Sequence, residues 1–184
     1  MTTSSSKNFE LDVAEYIEEA FERCGLELRT AYDLKTAKRS LNLLLAEWAN
    51  RGLNQWTISQ TAIALTQGTT SYSLDATNPT AVIDVLDAFI RRTTNGTASD
   101  LQMNQISRSE YAAVPDKASQ GRPSQYFVDK QISPVIYLFN TPENSTDVLY
   151  VNRLMRMDDV DASTNTLEMP FRFYPCLSAG LAYY

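Results

Sequence analysis

Residues 30–56, TAYDLKTAKRSLNLLLAEWANRGLNQW, constrain this chain more than any other stretch. Leu34, Ala37, Leu41, Leu44, Leu45 and Trp48 recur at the i, i+3, i+4, i+7 spacing of one helix face. Thr30, with Asp33 three residues on, reads as an N-cap that supplies acceptors to the first free N–H groups. Arg51 and Gly52 read as the stop, because glycine reaches the left-handed conformation that helix C-termini need. A helix of about 20 residues is roughly 30 Å long and spans a small domain. It reads as a scaffold whose apolar face needs partners, and its residues carry no chemistry.

Those partners are sought at the two ends of the sequence. Residues 9–24 predict a first helix with Val13, Ile17, Ala20, Phe21 and Cys24 on one stripe, and Gly25 as its end. Asn8 is the expected N-cap, with Glu10 and Asp12 as first-turn acids. Its outer face carries Glu15, Glu18, Glu19 and Glu22, while the second helix carries Lys35, Lys38, Arg39 and Arg51. A charged helix face is most often just solvated, and exposed pairs are worth roughly 0 to 1 kcal/mol. The sharper reading is that acidic and basic faces meet, within one subunit or between neighbours.

After Gly52 the period changes from 3.6 to 2. Residues 60–66 alternate, residues 66–69 (TQGT) read as a turn, and residues 71–74 return, which predicts a hairpin. Residues 81–92 (AVIDVLDAFIRR) fit strand and helix by period alone. Their β-branched start and the Asn95-Gly96 turn favour a strand paired with residues 99–103. Ser107 and Glu110 form a Ser-x-x-Glu capping box for a short helix over residues 107–113. Residues 125–129, 134–139 and 148–155 are three further strands, with short polar connections that predict a meander. The middle of the chain therefore reads as about seven short strands in a sandwich or small open barrel.

Helical spacing returns over residues 171–184, with Phe171, Tyr174, Leu177, Leu181 and Tyr184 on one face. Pro175 is tolerated only in a first turn, which places the helix start near Tyr174. No C-cap follows Tyr184, so the pattern reads as cut short, either where the expressed piece stops or before a natural tail. The expected fold class is α+β: a helical bundle from the N-terminal and C-terminal helices, with an inserted antiparallel β-sandwich or small barrel. The expected divisions are 1–58 for the helical scaffold, 59–157 for the β-rich module with one short helix, and 158–184 for the return loop and last helix.

Composition narrows the chemistry. With no histidine among 184 residues, Ser-His-Asp and Cys-His nucleophiles and HExxH metal sites are excluded, which leaves carboxylate chemistry. A net charge of -6 argues against a general nucleic-acid binder, which needs surplus Lys and Arg to release phosphate counterions. Cys24 and Cys176 are the only cysteines, too few for a disulfide framework or a cysteine zinc site, which leaves one bridge between them as the open alternative. The polar start, MTTSSSKN, is not a signal peptide, and no stretch approaches the ~20 apolar residues of a membrane span. The chain reads as soluble, made in a cytoplasm, and without a cofactor. Asp158, Asp159 and Asp161 imitate a calcium loop but lack its glycine and closing glutamate.

The order of the pieces matches a family. Residues 33–58 (DLKTAKRSLNLLLAEWANRGLNQWTI), QGTTSYSL at 67–74, SRSEYAAVPDK at 107–117, GRPSQYF at 121–127 and YLFNTP at 137–142 together resemble head-to-tail adaptor proteins of tailed bacteriophages. The closest type is the tail accessory, or packaged-DNA-stabilising, factor of short-tailed phages. The resemblance spans the first helix to Leu181, and it rests on the order of the pieces, none of which is a sharp motif. It implies a structural, non-enzymatic subunit of a ring, typically of twelve copies. Such a ring sits at the head–tail junction of the virion, beneath the portal protein and above the tail nozzle or hub, and is assembled in the host cytoplasm. It also implies a C-terminal segment that reaches the portal.

Ring subunits need heterologous patches, each binding a different patch on the next copy. The candidate interface residues are Lys35, Lys38, Arg39, Arg51, Trp56 and Arg122, with the aromatic segment 137–139 beside them. Trp48 reads as core; Trp56 reads equally as core or as contact; Arg122 is either an anchor for a neighbour's carboxylate or an ordinary turn arginine. An acidic lumen suits a conduit through which double-stranded DNA passes without being gripped. Two other classes stay open. A glycan hydrolase for cell-wall penetration would need two acids about 5 to 9.5 Å apart in a cleft. A monomeric or dimeric β-sandwich binding module would show itself by its mass.

Overall fold

A computed structural model describes residues 5–27 and 30–184 of the chain. The fold is α+β, and the chain divides into two compact units, residues 1–56 with 157–184, and residues 57–156. No helix among the described residues is long and apolar enough to cross a membrane.

The helical unit is built on α1 (Val13–Arg23), α2 (Ala31–Asn50) and α4 (Tyr174–Tyr183). Helix α2 has the ends its sequence predicts: Thr30 Oγ1 accepts the Asp33 N–H, Asp33 returns a carboxylate to the Thr30 N–H, and Arg51 is the C-cap. Its Leu41, Leu44 and Leu45 meet Val13, Tyr16, Ile17 and Ala20 of α1 and Leu177 and Leu181 of α4 in one buried cluster. Met157, Val160 and Met169 of the return segment join that cluster, so the unit is three helices closed by a strap more than a simple bundle. Asn42 stitches the strap to α2, donating to the Val160 carbonyl at 3.1 Å and accepting the Val160 N–H at 2.8 Å. Trp48 is half-buried against the cluster, and Cys24, expected on the apolar stripe, is exposed.

Helix α1 starts four residues later than the pattern suggests. Asp12, not Asn8, is the N-cap, in a reciprocal box with Glu15. Every helix leaves its first N–H groups without partners inside the helix. Here the Val13 N–H donates to the Asn165 carbonyl and the Ala14 N–H to the Ser163 carbonyl, both at 3.0 Å, while Asp12 takes that of Glu15. The acidic loop is therefore the cap of α1, and this fixes where the helix begins. At the other end of the chain, a single 3-10 turn (Phe171–Phe173) leads into α4, whose proline occupies the first turn as predicted. A Cβ at Gly180 would lie 3.0 Å from a Leu44 methyl, so the glycine lets α4 sit close to α2 without displacing that side chain.

The β unit holds β1 (Ile58–Ala64), β2 (Ser71–Ser73), β3 (Val82–Thr94), β4 (Thr97–Gln102), β5 (Asn104–Gln105), β6 (Gln120–Gly121), β7 (Gln125–Asp129), β8 (Val135–Phe139), β9 (Thr141–Pro142) and β10 (Val148–Met155). The short helix α3 (Arg108–Ala113) carries the expected Ser107–Glu110 box. One sheet runs β1-β10-β3-β4, entirely antiparallel; a second runs β2-β8-β7-β5, with β5 parallel to β7; β6 and β9 form a parallel pair. Val85, Ala88, Ile90, Leu149 and Val151 of the first sheet share a core with Tyr126, Val128, Ile136 and Leu138 of the second, which makes a sandwich.

Two connections differ from expectation. Strands β1 and β2 lie in different sheets, so residues 66–69 turn a corner and close no hairpin. The Tyr72 hydroxyl accepts the Thr66 N–H and shares its one proton between the Thr66 and Thr69 carbonyls, each 3.1 Å away, so a side chain, not a ladder, closes that corner. The connection after β8 likewise crosses to the other sheet, and the meander stops at β7–β8.

Strand β3 explains its own ambiguous period. Its pairing with β10 slips at two places, leaving Leu86 and Ile83 as extra residues without a partner in the register. Each bulge adds one residue to the strand, so Val82, Val85 and Ala88 all face the core at spacings of three. A doubly bulged strand thus imitates a helix in sequence. The following Asn95 and Gly96 have φ of 50° and 79°, the pair of positive values a two-residue hairpin turn requires.

Candidate assembly surfaces

The sequence-predicted interface residues fall into three situations. Lys35 and Arg39 are exposed on α2, and among the described residues neither has a hydrogen-bond or ion-pair partner. Lys38 and Arg51 are engaged on their own chain: Lys38 Nζ donates to the Asp161 carbonyl at 3.0 Å, and Arg51 pairs with Glu47 one turn earlier. Trp56 and Arg122 face inward. The Trp56 ring is half-buried on the helical core, 4.8 Å from Phe173, and Arg122 Nη2 donates to the carbonyls of Ile90 and Ser99 on β3 and β4.

The acids of α1 are also partly committed. Glu15 belongs to the cap and Glu19 pairs with Arg23 at 2.7 Å. Glu15, Glu18, Glu19 and Glu22 line one wall of a cavity of about 410 Å³, whose other wall is Phe171, Tyr174, Pro175 and Ser178. All four carboxylates stand on one helix, so none faces another acid across that cavity as a glycoside-cleaving pair must. A more apolar cavity of about 270 Å³ lies between α1, α2 and α4, lined by Phe21, Cys24, Leu26, Tyr32, Leu181 and Tyr184 among others. The Tyr184 hydroxyl donates to Glu47, which holds that carboxyl below its ordinary range. No group of three or more acidic or cysteine ligands converges on a point among the described residues.

Three clusters escaped the sequence reading. On the outer face of the first sheet Phe89 and Tyr150 stack with centroids 5.1 Å apart, Arg91 lies over both rings, and Asp100 holds Arg91 through two bonds of 2.8 and 2.7 Å. Arg91 in turn holds the Asp100 carboxyl below its ordinary range. On the second sheet Tyr111 of α3 packs on Phe127 and Tyr137, with Arg108 and Lys117 over the rings. Third, Arg92 bridges Asp147, whose side chain is 3% exposed, and Glu143. Only the Arg91–Asp100 pair had a readable signal: a two-residue Asn95-Gly96 turn sets 91 opposite 100. The others depend on partners that residue spacing does not reveal.

The described surfaces thus offer two cations on α2 without partners, Lys35 and Arg39, and an outer sheet face bearing Phe89, Tyr150 and Arg91. The SU10 adaptor protein family model matches residues 11–184. The chain belongs to the SU10 adaptor protein family, and so to the phage structural proteins that resemble head–tail adaptors. Comparison with curated proteins gives no match.

Proposed function

We propose that this chain is the subunit of a ring, of twelve copies, bound beneath the portal vertex of a short-tailed phage virion and above its tail nozzle or hub. The family match over nearly the whole chain carries the reading. The ring assembles in the host cytoplasm, joins head to tail, and gives the genome a passage during retention and ejection. Two physical features support it. A net charge of -6 lets a polyanion slide past with little grip, since strong binding needs phosphate neutralisation by clustered Lys and Arg. Lys35 and Arg39 on α2 and the glutamates of α1 are opposite-signed helix faces of the kind a heterologous contact uses. The scaffold role falls to the helices and the spacer role to the sandwich.

Imaging a virion or a portal complex that contains the chain, and counting copies around the axis, tests this reading. Twelve copies at the portal are expected. A single copy, or a position away from the genome's exit path, overturns it. Mass measurement with purified portal present separates the ring from a monomeric sandwich module, because a chain that stays monomeric beside the portal belongs to the second class.

A further inference from the structure

The first sheet of the β unit ends in β1 on one side and β4 on the other, and among the described residues neither has a strand beyond it. An edge strand offers a row of unpaired N–H and C=O groups, and proteins usually guard it with charges, prolines or bulges. Residues 58–64, ISQTAIA, contain no charge, no proline and no register slip. Residues 97–102, TASDLQ, are exposed throughout and carry one charge, Asp100, which is held by the two bonds from Arg91. Both edges are therefore undefended.

Their geometry is complementary. The Met155 N–H donates to the Thr57 carbonyl and the Leu65 N–H to the Asp147 carbonyl, so the odd residues of β1 face β10. By strand alternation Ile58, Gln60, Ala62 and Ala64 point their backbone groups to the open side. The Met103 N–H donates to the Ala88 carbonyl, which likewise leaves Ala98, Asp100 and Gln102 facing outward from β4. On both strands these residues stand on the outer face of the sheet, in line with Tyr150 and Phe89. The two edges can thus meet without turning a core side chain to solvent. Because the sheet has four strands in strict alternation, β1 and β4 run in opposite directions. A rotation that keeps strand direction brings β1 of the next copy antiparallel to β4 of this one.

We propose that neighbouring copies of this chain join edge to edge, β4 of one against β1 of the next, so that one antiparallel sheet continues through the assembly. The partner is a second copy of the chain, and the proposal rests on the ring reading above. Three outward residues of β4, each with a donor and an acceptor, give roughly six backbone hydrogen bonds per contact. The contact is heterologous, so each copy uses both of its edges, whereas β1 against β1 would close after two copies and leave both β4 edges open.

Proline substitution tests it in the full chain. Ala62→Pro and Ala98→Pro each remove an N–H that faces the open edge and no ladder bond within the chain. Gln60→Lys/Ala64→Lys and Gln102→Lys serve if a proline variant loses its strand circular dichroism. Mass photometry and sedimentation of wild type and variants, over a concentration series and with purified portal, are expected to show each variant's assembly weakened at least tenfold. Mixing Ala62→Pro with Ala98→Pro should give 1:1 pairs and nothing larger, since one intact edge remains on each. If Ala62→Pro blocks assembly and Ala98→Pro does not, the contact is β1 on β1 and the proposal is overturned. If the chain forms rings that neither variant weakens, edge pairing is overturned and the ring reading stands. A wild-type chain that stays monomeric throughout overturns both.

Discussion

The two units hold themselves together by different means. In the β unit, ion pairs join residues far apart in sequence: Arg92 with Asp147 and Glu143, Arg153 with Asp75, Lys130 with Asp84, Arg108 with Asp129. In the helical unit the described ion pairs, Arg23–Glu19 and Arg51–Glu47, span one helical turn. Tertiary polar contact there comes from the strap, through Asn42, Lys38 and the cap of α1, and from the last helix and its lead-in, through Tyr184 on Glu47 and Arg172 on Gln55. The sandwich is cross-braced by charge, while the helices rely on apolar packing and a strap that must come from the far end of the chain. A unit of the second kind keeps cavities and exposed aromatics, such as Tyr32, Phe171 and Tyr183, available for partners.

Trp48 and Trp56 both lie in the helical unit, so tryptophan fluorescence follows that unit alone while strand circular dichroism follows the other. The largest effects come from the cores. Leu138→Ala and Leu177→Ala each remove a fully buried side chain and should cost about 2–5 kcal/mol in denaturant melts. Leu138 lies between two hydrogen-bonded sheets and should fall at the upper end, with Leu177 lower because α4 borders two cavities into which it can shift. Equal losses would erase that contrast. Next, Asp147→Asn weakens the hold on Arg92, which is 29% exposed and keeps Glu143, and should cost the β unit about 2–3 kcal/mol without moving the tryptophan signal. Asn42→Ala should cost the helical unit about 1–2 kcal/mol, seen in fluorescence alone.

Acid gives a smaller, sign-dependent test. Backbone N–H groups of Asn78 and Thr77, with Arg153, hold Asp75 below its ordinary range, as Arg91 holds Asp100. A lowered carboxyl adds stability above its unfolded pKa of about 3.9 and loses it as pH falls through the lower folded value. The strand signal should therefore weaken only below about pH 4. Glu168 is exposed by area, yet partial burial of its carboxyl and the nearby Asp158 push it up. A raised carboxyl disfavours the fold above its folded pKa and relaxes as pH falls, so Glu168→Gln should raise the fluorescence melting point at pH 7 and less so at pH 4. A gain that grew toward acid would reverse the assignment. Least of all, Glu19→Gln breaks an exposed pair and should change stability by under about 0.5 kcal/mol.

Much of this was readable from residues, and the losses have physical reasons. Helix α2, the Asn95-Gly96 hairpin, the box at Ser107 and the proline-led start of α4 are local events, in which a few neighbours decide the conformation. The corner closed by Tyr72 was invisible, because turn residues mark where a chain bends and not which sheet it enters next. The true cap at Asp12 was not legible, because the carbonyls of Ser163 and Asn165 that complete it lie at the other end of the sequence. Of the interface candidates, Arg122 looked like a surface turn residue until its bonds to Ile90 and Ser99 tied it to the sheet. Charge type can be read along a chain; whether a charge is already taken cannot.

The borrowed cap on α1 also bears on how the protein is made. Val13 leaves the ribosome roughly 150 residues before Ser163 does, which at about 5–20 residues per second is a wait on the order of ten seconds. The first sheet of the 57–156 segment cannot close much earlier, because β10, which joins β1 to β3, is complete only eight residues before Ser163. The first helices meanwhile wait with the apolar faces that pack on Met157, Val160 and Met169 bare. The hazard of premature clumping thus falls on the first two helices, and relief arrives only with residues 157–184.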